Sequence, residues 1–207
     1  MVRFVSGKTA AEVMAELERR KREDPAYRVE SERAESERAE RIRLLRIAEQ
    51  PVVEDLRAIG LVLDTVWDLY KIPDSRPKAI PVLLRHIALD YPDRVLEGIG
   101  QGLDHRSARG WWSNLRELMF STDRDIVRDR VAAALSACAT REQYDDLLAF
   151  MRDTSLGSCR IYFLRPINRI GNRISAGQGR AVIETVADDH VLGKEATAIL
   201  RGRSRNQ

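Results

Sequence analysis

The residues of this chain best suited to chemistry are few and far apart. Its three histidines, His86, His105 and His190, have no partner at metal-ligand spacing and are expected at the surface or at helix ends. Cys138 and Cys159 lie inside apolar helical patterns, with no CxxC and no Cys/His cluster. They are expected as buried free thiols, joined in a disulfide only if facing helices bring them together, and no zinc site is expected. Gly98-Ile99-Gly100-Gln101-Gly102 resembles a phosphate loop, but Leu103 breaks the G-x-G-x-x-G spacing and no strand precedes it. Gly110-Trp111-Trp112 opens a helix whose adjacent residues point about 100° apart, so one ring can be core while the other stays partly exposed. Trp112 is taken as a candidate partner anchor. Tyr162, Arg165 and Arg169 stand at i, i+3, i+7 and share one helix face, with Phe163, Ile167 and Ile170 on the opposite, core side. No catalytic constellation, cofactor or metal is expected.

The elements that must position these residues are helices. Of 207 residues, 43% are hydrophobic and 32% charged, and no apolar run reaches the length of a membrane span. The N-terminus Met1-Val2-Arg3-Phe4-Val5-Ser6 has no signal-peptide core, so a cytoplasmic location is expected. Strand-like alternation is confined to residues 2–5. Thr9-Ala10-Ala11-Glu12 is a capping box ahead of a helix carrying Val13, Met14 and Leu17 on one face. Asp24-Pro25 starts a second helix. Its tandem Ser-Glu-Arg-Ala-Glu pentapeptides, residues 31–40, are laced with Glu/Arg pairs but have no large apolar residue. That stretch is expected to lie in solvent. Ile42, Leu45, Val52, Leu56 and Ile59 then return an apolar face, Pro51 is expected to kink or restart the helix, and Gly60 to stop it. Residues 1–60 thus form a charged helical arm, and 61–207 a separate helical domain. Asp64 is placed as the cap of a short helix through Val66, Trp67 and Tyr70. After a turn and new helix start at Pro73–Pro77, a helix with Ile80, Leu83, Leu84 and Ile87 inward is expected, broken by Tyr91-Pro92-Asp93. Further helices are expected at 93–103, 110–120, 124–138, 141–152, 158–170, 176–188 and 191–201. Their short connections favour antiparallel neighbours.

A weak repeat runs through that domain. Val95–Leu103 aligns with Val127–Leu135 at a shift of 32 residues, then with Cys159–Ile167 at the same shift, and with Leu192–Leu200 at 32 to 33. Such periods mark stacked units that cannot bury their apolar faces alone. Gly100 and Gly102 fall where the second copy has Ala132 and Ala134, which makes them close-packing positions rather than ligand contacts.

Ile126-Val127-Arg128-Asp129-Arg130-Val131-Ala132-Ala133-Ala134-Leu135 resembles the second helix of a HEAT repeat. Asp153 and Asp188 resemble the aspartate of the HEAT inter-helix turn. The resemblance covers about residues 76–202, and the whole chain is similar to small actinobacterial members of that family with a charged N-terminal helix. Two departures stand out: Leu96 occupies the usual arginine place, and Pro166 interrupts the third second-helix. Membership implies an all-α solenoid of about four helix pairs that binds macromolecules on its second-helix surface. The implied lining runs from Glu97 and Gln101, past Asp129, to Tyr162, Arg165 and Arg169, changing from acidic or polar to basic.

That lining fits a protein or peptide partner better than duplex DNA, which wants a continuous basic track. The expectation is a non-enzymatic interaction module, of adaptor or immunity type, monomeric or weakly dimeric. Residues 156–207 hold nine Lys/Arg, including the tail residues Arg203 and Arg205, against four Asp/Glu. A nucleic-acid binder, or a glycosylase of the HEAT-like alkylpurine class, is therefore the alternative. No acid-plus-aromatic motif of such an enzyme is present in the sequence.

Overall fold

The computed structural model describes residues 9–202, which are helical and contain no strand. The alternation at 2–5 and the tail arginines Arg203 and Arg205 lie outside the described residues. These form two compact units divided between Ile47 and Ala48.

In the N-terminal unit, α1 (Ala10–Glu23) begins at the expected capping box, with the Glu12 N–H donating to Thr9 Oγ1 and the Thr9 N–H to Glu12 Oε2. α2 (Pro25–Ala58) begins as expected at Asp24, whose Oδ1 accepts the Tyr27 N–H at 3.1 Å. Ion pairs Glu16–Arg19, Arg33–Glu37 and Glu40–Arg43 run along these helices. Val13, Met14 and Leu17 are exposed, as are Val29, Ile42 and Ile47. The buried residues of α2, Glu49, Val52, Val53 and Leu56, lie in the part of the helix that belongs to the C-terminal unit. Two expectations are corrected here. Pro51 does not restart the helix, because the buried residues that follow it hold the backbone helical across the missing N–H. Ile42 and Ile59 are not buried, being 46% and 40% exposed.

In the C-terminal unit, Thr65, not Asp64, caps a 3₁₀ segment, Val66–Lys71. Its hydroxyl accepts the Trp67 N–H while its own N–H donates to Asp68. There follow α3 (Arg76–Ile87), α4 (Asp93–Leu103), α5 (Trp112–Ser121) and α6 (Asp125–Cys138). Next come α7 (Tyr144–Arg152), α8 (Leu164–Ile174), α9 (Gln178–Glu184) and α10 (Gly193–Gly202). Each even helix packs on its odd predecessor, and α4, α6 and α8 with its preceding segment also pack on one another in turn. The expected helix at 158–170 is split. A 3₁₀ run, Thr154–Phe163, carries Gly157 at φ 58° and hands over to α8 at Leu164. Pro166 therefore sits in the first turn of α8, where its missing N–H costs nothing, and does not bend a longer helix.

Side chains join the two halves of a pair through backbone carbonyls. Arg128 donates to the Thr122 carbonyl and Arg160 to the Met151 carbonyl, both at 2.7 Å. The corresponding first-copy position, Leu96, is fully buried. There Arg124 reaches back to the Tyr91 carbonyl at 3.0 Å and to Asp93 at 2.7 Å. At the last turn Asp189, rather than Asp188, accepts the N–H groups of Val191 and Leu192. His86 is also corrected: it is buried, with Nδ1 at 2.7 Å from the Tyr91 hydroxyl and Nε2 at 2.9 Å from Asp55. His105 is at a helix end as expected, where its Nδ1 accepts the Ser107 N–H.

The glycines of α4 act in packing. A Cβ on Gly100 would strike the Arg130 side chain at its root, and one on Gly102 would lie 2.6 Å from Leu83 Cδ1. Phe163 has no exposed surface and its ring centroid is 5.2 Å from that of Phe150. Phe163→Ala is expected to cost about 3–5 kcal/mol by urea denaturation. A loss under about 1 kcal/mol would mean that the site collapses or is not core. Gly100→Ala is expected to lower the melting temperature despite alanine's better helix propensity, because overpacking outweighs it.

Candidate functional site

α6 lies between α4 and the Thr154–Phe163 run, and it presents polar side chains along that line. Gly100 lets the Arg130 stem lie against α4. From there Arg130 Nη2 donates to the Tyr162 hydroxyl at 3.3 Å, while its Nε is buried with no hydrogen-bond partner. One turn further along α6 from Ala133, Ser136 Oγ donates to the Tyr162 carbonyl at 2.8 Å. Burial lifts the Asp104 carboxyl at the end of α4 above its ordinary value, against the pull of Arg76 and Arg130. Burial likewise lifts Asp129, against Arg130 and with Asp125 adding to the rise. The Tyr162 hydroxyl holds its proton more tightly than usual, first through burial and then through the Asp129 charge.

Beyond Ser136 the surface opens into a hollow of about 480 Å³ between α6, α8 and α10, lined in part by Ser136, Arg165, Asn168 and Arg169. Arg165 Nε donates to Glu195 at 2.7 Å. Arg169 is exposed, and its side chain has no hydrogen bond or ion pair among the described residues. A second hollow, about 410 Å³, lies at the start of α6, bounded by Asp125, Arg128, Asp129 and the chain around Gly157.

The expected site residues are thus only partly brought together. Arg165 and Arg169 share the first hollow and Asp129 faces the second. Tyr162 lies in the 3₁₀ run rather than on α8, and its hydroxyl is held on Arg130. Glu97 pairs with Arg94 at 2.6 Å, and that guanidinium rests on the Trp67 ring at 4.0 Å. Gln101 is exposed and lines neither hollow. Trp112 is not a free anchor: its Nε1 donates to Asp146 at 2.9 Å and its ring stacks on Phe150, so it ties α5 to α7. Trp111 is the more exposed ring, at 36%, beside Leu84 and Leu118 in a shallow cleft between α3 and α5. Cys138 and Cys159 are buried free thiols pushed up to about 11 by burial, which leaves them protonated and unreactive at neutral pH. Among the described residues no group of His, Cys, Asp and Glu is arranged to hold a metal ion, and no helix is long and apolar enough to cross a membrane.

Sequence reasoning passed over Arg130, Asp104, Ser136, Asn168 and Glu195. The repeat contained a signal for one of them, since Arg130 and Tyr162 stand 32 residues apart, at equivalent positions of successive copies. Comparisons with protein families, with curated proteins and with solved structures each give no match.

The raised Asp129 has a consequence for pH. The unfolded chain ionises this carboxyl at its ordinary value, whereas the folded chain keeps the proton to higher pH. Ionisation therefore opposes folding above the folded value and has no effect below the unfolded one. Asp129→Asn is expected to raise the melting temperature at neutral pH, with the gain vanishing below about pH 3. An equal gain at both pH values would show that packing, not charge, is responsible.

Proposed function

We propose that the C-terminal unit is a non-enzymatic binding module of the HEAT-repeat kind, a solenoid of helix pairs whose inner helices are α4, α6, α8 and α10. One observation carries the reading: polar bonds between elements recur at about one repeat. Asp55–His86, Asp90–Arg124, Arg130–Tyr162, Trp112–Asp146 and Arg165–Glu195 are separated by 30 to 34 residues. A stack of similar pairs produces that recurrence, because each position meets its counterpart in the next unit. The resulting surface is preorganised and loses little entropy when a partner docks. Proteins or peptides are its partners, in an adaptor or immunity role within the cytoplasm. The ionised-carboxylate cost at Asp104 and Asp129 supports a surface kept for recognition rather than stability.

A nucleic-acid reading draws on one specific observation, the exposed Arg169 and Arg173, whose side chains are unpaired among the described residues. Affinity capture from a lysate of the source organism separates the two, using wild type and Arg165→Glu/Arg169→Glu with and without nuclease. A protein retained by wild type alone, regardless of nuclease, is the expected result. Retention that vanishes with nuclease gives the surface to nucleic acid instead.

A further inference from the structure

We propose that the hollow between α6, α8 and α10 receives a short acidic, part-apolar peptide segment, anchored through a carboxylate on Arg169. The inference rests on the binding-module reading and names the chemistry of its partner.

The donors are arranged for an anion. Arg169 is exposed and its whole guanidinium fork is uncommitted, while Arg165 spends its Nε on Glu195 and keeps its two terminal nitrogens. Asn168 Oδ1 accepts from Asn172 Nδ2 at 2.8 Å, which turns the Asn168 amide nitrogen away from that bond and leaves it as a further donor. Ser136 already donates to Tyr162 and adds no unmet acceptor demand. Glu195 does not line the hollow itself but holds Arg165 Nε at 2.7 Å, so a partner's carboxylate would compete with it for that guanidinium. The remaining lining is apolar, with Pro166, Ala198 and Ile199 among it. A planar fork binds a carboxylate bidentately, and an apolar floor covers the aliphatic residue beside it.

A nucleic-acid strand fits this place less well. Its evenly spaced phosphates require a continuous basic track. Along α6 the surface instead turns acidic within two helical turns of Ser136, at Asp129, with Asp104 close by across Arg130. A short acidic segment needs positive charge at one point, which is what the hollow offers.

The test is fluorescence anisotropy on the full chain, with labelled decapeptides of alternating Glu–Leu, Glu–Ser and Lys–Leu and a labelled single-stranded oligonucleotide. The Glu–Leu peptide is expected to bind tightest. Arg169→Ala should weaken it about tenfold, the scale of one lost charge-assisted pair. Glu195→Gln, by releasing Arg165, should tighten it several-fold, a gain that general destabilisation does not produce. Circular dichroism melts confirm that both variants fold. Absence of Glu–Leu binding, or binding that neither variant alters, overturns the proposal. So does an oligonucleotide bound more tightly than the peptide and lost with Arg169→Ala. Either failure leaves the module reading standing if lysate capture still retains a nuclease-insensitive protein, so the two readings fail separately.

Discussion

Val131, Ala132, Ala134 and Leu135 of α6 have no exposed surface, and the helix meets α4, α5 and the Thr154–Phe163 run on three sides. Such enclosure is possible because the residues are small where the neighbours come closest. Gly100 faces the root of Arg130, and the Ala132–Ala134 stretch takes up little room. Close packing of this kind is rigid, since interiors tolerate volume changes poorly. The fixed position of Arg130, Ser136 and Tyr162 follows from it. So does the separation of the two hollows, one at each end of the helix.

Arginine ties helices together within pairs and between them, through carbonyl oxygens as well as through carboxylates. Arg109 reaches the Cys138 carbonyl, Arg76 the Asp104 carbonyl and Arg160 the Met151 carbonyl. A guanidinium with several fixed donors can close an open helix end and still pair with an acid, as Arg160 does with Asp189. The basic excess of the last third is therefore smaller in effect than in count. Arg160, Arg165 and Arg180 are engaged inside the unit, and Arg169 and Arg173 are the exposed remainder of α8.

What was legible in the sequence is what local physics decides. The capping box at Thr9, the Asp24–Pro25 start and the bounds of α4 follow from side chains within a turn of one another. The core face of Phe163, Ile167 and Ile170 was readable from spacing even though the element around it was not. The 3₁₀ run escaped because Gly157, which turns the chain at φ 58°, is unremarkable in sequence. His86 and Trp112 escaped for another reason. Each is fixed by a carboxylate 31 or 34 residues away, and a single position carries no mark of so distant a partner. The same holds for Glu195, whose bond to Arg165 decides how much of that arginine is available.

α2 carries a different kind of consequence. None of its residues up to Ala48 is fully buried, yet they continue the same helix whose last turns hold Val52, Val53 and Leu56 in the core. Starting a helix in isolation carries a penalty of about a thousandfold in equilibrium constant, while lengthening one costs little. The buried turns serve as a permanent seed, so the pentapeptide stretch needs only propagation. Its helicity then becomes a graded property, shortening from the Pro25 end as temperature or salt rises rather than melting in one step. The length of this helix is in that sense a variable that solution conditions set.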